Sequence, residues 1–104
     1  MTQITYERHY DKHVLVCAGH TQYSPGSDIL CSAVSILCYC AKAYFEKAYA
    51  EGAVTDLKVA LDKGFFALSF ECEENSYALE VLKAVIEGFD ILSEQFPDHI
   101  SLDA

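Results

Sequence analysis

The chain has 104 residues, 52% of them hydrophobic and 22% charged, with a formal net charge of −9; that length and balance predict a single domain over 1–104 around one core. The negative field disfavours nucleic acid and favours a basic or neutral partner. The longest uncharged stretch, Ile29 to Ala41, is too short to cross a bilayer and the opening MTQITYERHYDK lacks the apolar core of a secretory signal, so the expectation is a cytoplasmic protein without a membrane partner, its five cysteines reduced.

Residues 2–8 (TQITYER) and 13–18 (HVLVCA) are rich in β-branched and aromatic side chains on either side of His9–Lys12, which predicts a hairpin. Ser27 or Asp28 then caps a helix over 28–51 whose apolar positions Ile29, Ala33, Ile36, Leu37, Cys40 and Tyr44 recur at helical spacing, with Gly52 as the stop. In VTDLKVALD the alternation places Leu57, Val59 and Leu61 on one side. In FFALSFECE it places Phe66, Leu68, Phe70 and Cys72 on one side, so a second hairpin turns at Lys63-Gly64. Asn75 or Ser76 starts a second helix with Ala78, Val81, Leu82, Val85, Phe89, Leu92 and Phe96 on its stripe, and Pro97 ends it. The order β-β-α-β-β-α, with one apolar face per hairpin and one stripe per helix, predicts an α+β two-layer sandwich. Both helices pack on one face of a single four-stranded or slightly larger sheet.

The cysteines do not form a metal site by spacing. On a helix Cys38 and Cys40 point about 200° apart, and Cys31 and Cys38, though on one face, are roughly 10 Å apart along the axis. No zinc pattern is present, and no cofactor motif stands out. Cys17 and Cys72 in strands, with Cys38 and Cys40, read as small buried hydrophobes. Cys31 differs because it falls in the first turn or so of the helix, near unpaired N–H groups and the positive dipole end, which favour a thiolate. His20 stands before the turn-forming run that leads to that helix. A thiolate with an imidazole base is the minimum for covalent acyl transfer, and the N–H groups suit an oxyanion. By spacing alone, a core thiol and an ordinary turn histidine account for the same residues.

A more specific signal is the run AGHTQYSPGSDILCSAVS, residues 18–35. It resembles the signature of the Prp family of ribosomal-processing cysteine proteases: Gly-His-Ala-Gly-Tyr, a short glycine-containing loop, then Asp-Ile-Val-Cys-Ala-Ala-Val-Ser. Gly19, His20, Tyr23, Gly26, Asp28, Ile29, Cys31, Ala33, Val34 and Ser35 fall on that pattern. The later LEVLKAVIEGFDILSEQFPDHISL resembles the family's carboxy-terminal end, so the likeness spans nearly the whole chain. The resemblance implies Cys31 as nucleophile and His20 as general base. It leaves Asp28 as a helix cap or as an orienter of His20, and Ser35 as a hydrogen-bond partner for the thiolate or a small packing residue. Gly19, Tyr23 and Gly26 belong to a substrate loop in this reading. Gly26 supplies a positive φ, Gly19 a close approach to substrate, and Tyr23 part of an apolar specificity pocket.

The implied activity is removal of the N-terminal extension of a basic large-subunit ribosomal protein in a bacterium, without metal or cofactor, by a homodimer. Gln22 stands where the family usually has glycine, and the loop from His20 to Cys31 is one residue shorter than the common pattern. These departures raise the alternative of a catalytically altered Prp-like paralogue serving as an interaction or regulatory module. A third possibility, a thiol redox sensor at Cys31, lacks a resolving cysteine on the same element.

Overall fold

The structure, a computed structural model, describes residues 1–20 and 29–104. The elements in chain order are β1 (Thr2–His9), β2 (Lys12–Ala18), α1 (Ile29–Ala50), β3 (Thr55–Asp62), β4 (Phe65–Glu71), α2 (Tyr77–Gln95) and β5 (Ile100–Asp103). They form the expected α+β sandwich. The sheet has five strands in the order β3-β4-β2-β1-β5, one more than the two hairpins supply. The added β5 pairs parallel with β1, Thr2 opposite Ile100 and Ile4 opposite Leu102.

Strand alternation explains the core. Because register aligns Leu102, Ile4, Cys17, Phe66 and Leu61 in a row across all five strands, every second residue of each strand faces the helices. The next row is Tyr6, Leu15, Leu68 and Val59. Ile4, Leu15, Cys17, Phe66, Leu68 and Phe70 are buried in one cluster with both helices, so most of the hydrophobic driving force lies in this layer.

The second helix follows its predicted stripe. Ala78, Leu82, Val85 and Phe89 are buried, with Leu79 added, while Leu92 and Phe96 are half-buried at its end. Ser76 is the N-cap, its side chain accepting from the Ala78 N–H at 3.2 Å. At the other end the Phe96 N–H donates to the Leu92 carbonyl at 2.9 Å before Pro97 stops the helix.

The first helix is turned from the predicted face. Its buried residues are Leu30, Val34, Cys38, Ala41, Phe45 and Ala48, whereas Ile29 is 76% and Ile36 59% exposed and Cys40 also faces out. The reason is that α1 is apolar nearly all round, so two stripes satisfy helical spacing and only the sheet chooses between them. Leu37 and Tyr44 are half-buried at the border, and Leu37 fills the space that a side chain at Gly88 of α2 would take. By length and composition alone α1 is long and apolar enough to cross a membrane, yet in the fold its buried side, with Val34, Cys38, Ala41 and Phe45, packs into the core.

At the end of the sheet near the β1–β2 turn, rings stack in series. His13 lies 6.0 Å from Tyr6 and 5.3 Å from Phe70, and Phe70 lies 4.4 Å from Phe45. The Tyr6 hydroxyl and His13 Nδ1 share a 2.7 Å hydrogen bond. His13 is 1% exposed, and among the described residues its Nε2 meets no partner. Burial, with a lesser contribution from the Arg8 cation against the opposing Asp11, pulls its pKa below the usual 6.5.

Candidate active site

The last rung of the β2–β4 ladder builds one side of the site. Beyond the Ala18–Phe65 pair, the Gly19 N–H donates to the Gly64 carbonyl at 2.9 Å. The Thr2 hydroxyl donates to the Gly19 carbonyl at 3.3 Å. Gly19 has φ +98°, and a side chain there would run into the Met1 carbonyl, so the chain's own first residues require this glycine. The sequence suggested an approach to substrate, but the close neighbours are Met1 and Thr2. His20 follows directly, delivered to the end of the sheet by a residue tied on both sides.

The first turn of α1 builds the other side. Cys31 is the third residue of the helix and half-buried, and Ser35 comes one turn later. Although eleven positions separate them in the chain, His20 and Cys31 line the same cleft of about 330 Å³, and Ser35 lines it too. Its floor is Cys17, Val34, Cys38 and Phe66, and Leu61, Phe65 and Tyr39 form apolar walls. Asp62, Lys63 and Gly64 of the β3–β4 turn complete the rim. The cleft therefore offers a thiol and an imidazole beside an apolar surface fit for hydrophobic side chains.

Two cysteines beneath it behave as a pair. The Cys17 and Cys38 thiols face each other across the β2–α1 interface; their interaction and burial raise the Cys17 pKa, while the interaction lowers that of Cys38. Both are buried, as the sequence suggested, and so is Cys72, whose thiol burial pushes up. Cys40 is exposed and leaves the buried group. Among the described residues no three histidine, cysteine or acidic side chains gather as a metal site would require.

Tyr23, Gly26 and Asp28, with Gln22 and the Ser27 cap candidate, lie outside the described residues. What sequence reasoning missed is the contribution of β3 and β4. Leu61, Lys63, Gly64 and Phe65 read as an ordinary hairpin, and no local signal links them to a histidine more than forty positions earlier.

The fold and cleft define a class: a two-layer α+β domain that presents a helix-terminal thiol and an imidazole, from separate elements, to one apolar-walled groove. The chain belongs to the cysteine protease Prp family, whose family model matches residues 1–101. Its fold is similar to that of a crystal structure of the essential ribosomal processing protease Prp from S. aureus in complex with a covalently linked product peptide, at TM-score 0.78 and 18% identity over 99% of this chain and 98% of that one. The same S. aureus protease with a substrate peptide aligns at TM-score 0.71 and 16% identity, over 99% and 98% of the two chains. SMU.848 from Streptococcus mutans aligns at TM-score 0.67 and 20% identity, over 99% and 92%. No curated protein sequence matches.

Proposed function

We propose that this chain is a cysteine endopeptidase that removes the N-terminal extension of a basic large-subunit ribosomal protein in the bacterial cytoplasm. The observation that carries the reading is the convergence of His20 and Cys31 on one apolar-walled cleft in a member of a cysteine protease family. Peptide complexes of the S. aureus relative support a peptide substrate.

In this reading the Cys31 sulfur, as thiolate, attacks the scissile carbonyl, and the carbonyl π electrons move to oxygen. N–H groups at the start of α1 suit that developing negative charge. Collapse of the intermediate breaks the C–N bond as imidazolium His20 gives its proton to the leaving amine, which leaves a thioester and neutral His20. Water, giving one proton to His20, then attacks the thioester carbonyl. Collapse of that intermediate breaks the C–S bond and returns the Cys31 thiolate; the product acid departs and loses its proton to solvent, and the proton kept on His20 restores the ion pair. No metal or cofactor enters these steps. Apolar side chains of the extension contact Leu61, Phe65 and Tyr39, and Ser35 steadies the sulfur from one turn on. The enzyme works as a homodimer.

Incubation of the purified protein with the extended ribosomal protein of its own host, followed by mass spectrometry of the new amino terminus, tests the reading. One defined cut after the extension is expected. An intact substrate in the presence of correctly folded protein would make the chain the altered, non-cleaving relative.

A further inference from the structure

The turn between β3 and β4 does more than join two strands. Gly64 has φ +73°, and a Cβ at that position would stand 2.7 Å from His20 Nε2, 2.9 Å from Cε1 and 3.4 Å from Cδ2. The imidazole thus rests on the bare Cα of this glycine. The same residue's carbonyl accepts the Gly19 N–H at 2.9 Å, so one residue holds both the backbone before His20 and its ring. The Lys63 N–H donates to Asp62 Oδ1 at 2.7 Å, which fixes the turn that presents Gly64.

We propose that Gly64 is a positioning residue for His20, with the β3–β4 turn as the seat of the general base. The proposal rests on the reading of His20 as that base. Ordinary van der Waals contact begins at 3.4 Å, so any side chain at Gly64 drives the ring back by at least 0.7 Å, approaching the displacement of about 1 Å that costs on the order of 100-fold in rate when it falls on a catalytic group. The fold tolerates the change, because a surface imidazole can swing aside where a backbone could not.

The molecule contains its own control. Gly52 also has positive φ, at +82°, but a Cβ there meets nothing within 4 Å. Gly52→Ala therefore carries the backbone strain without the collision, and Gly64→Ala carries both. Gly64→Asn adds a Cβ at the same point, yet asparagine accepts positive φ more readily than alanine.

The experiment compares wild type, Gly64→Ala, Gly64→Asn and Gly52→Ala by melting temperature, by kcat and KM on a peptide spanning the cut site, and by the NMR titration of the His20 ring protons. The expected result is a kcat lowered about 100-fold in both Gly64 variants with KM little changed. The His20 resonances should move in both, Gly64→Asn should melt above Gly64→Ala, and Gly52→Ala should keep wild-type kcat and His20 signals. The proposal is overturned if Gly64→Asn regains wild-type kcat along with its stability, since the glycine would then serve only the turn. It is equally overturned if the His20 resonances and their titration are the same in the Gly64 variants as in wild type. A wild type that cuts nothing removes the protease reading, while the NMR comparison still decides whether Gly64 seats the ring.

Discussion

Cys31 and Cys40 have opposite settings on one helix, and the contrast gives a direct test of activation. Cys40 is exposed and Cys31 half-buried, so simple accessibility predicts that iodoacetamide labels Cys40 first. On the proposed reading of Cys31 as the nucleophile, its greater reactivity reverses that order. Limited alkylation and peptide mapping should find Cys31 modified first, and Cys31→Ala should lose cleavage while melting close to wild type. Faster labelling of Cys40, or retained turnover in Cys31→Ala, would remove Cys31 as nucleophile. A different histidine sets the response to acid. The native state holds His13 neutral, with its pKa below 6.5, so its contribution to stability is complete above the unfolded value and falls as pH drops through about 6.5. Urea unfolding at pH 7.5 and 5.5 should show a smaller loss for His13→Phe than for wild type. Equal losses would place the acid sensitivity elsewhere.

The two helices show how far periodicity carries. In α2 charged residues such as Glu80, Lys83 and Glu87 alternate with the apolar stripe, so the sequence leaves one face for the core. Phe89 is fully buried on that face. Phe89→Ala should therefore cost about 3–5 kcal/mol by the cavity it opens, measured by denaturant unfolding; a loss below about 1 kcal/mol would mean that the ring is not part of the core. In α1 the stretch from Ile29 to Ala41 holds no charge at all, and the stripe on Ile29, Ile36 and Cys40 competes with that on Leu30, Val34 and Cys38. The second stripe wins because it meets the sheet, Cys38 against Cys17 and Phe45 against Phe70, and it carries Cys31 and Ser35 to the cleft along its border. The catalytic candidates are thus placed by a packing decision made along the whole helix.

Taken as one body, the chain gathers its candidate chemistry at one end of the sheet, where β2 finishes, α1 begins and β3 turns into β4. Its charge of −9 acts over the entire surface, and on the proposed reading it attracts the basic substrate before any contact forms. Raising salt should therefore lower kcat/KM for the basic ribosomal protein several-fold, through encounter, while an uncharged peptide with the same cut site responds little. A parallel response of both substrates would show that the acidic surface serves solubility alone.

Local patterns determined a great deal. The period of two in FFALSFECE, the helical stripe closed by Pro97 and the turn at Lys63-Gly64 are written in neighbouring residues, and they specify two hairpins, two helices and a two-layer packing. The resemblance of residues 18–35 to a known signature brought Cys31 and His20 forward as a pair. Only the tertiary structure decided what depends on distant partners. The strand β5 has four residues and exists because β1 offers it an edge nearly a hundred positions away, too short and too remote for a periodic signal. The buried face of α1 was ambiguous until the sheet covered one side, and the Cys17–Cys38 contact crosses from strand to helix. Gly64 is the sharpest case. In sequence it is a glycine in a hairpin turn, and its positive φ suffices to explain it; only the folded chain lays the His20 ring where its side chain would have been, because backbone pairing of Gly19 with Gly64 joins two segments that no local pattern connects.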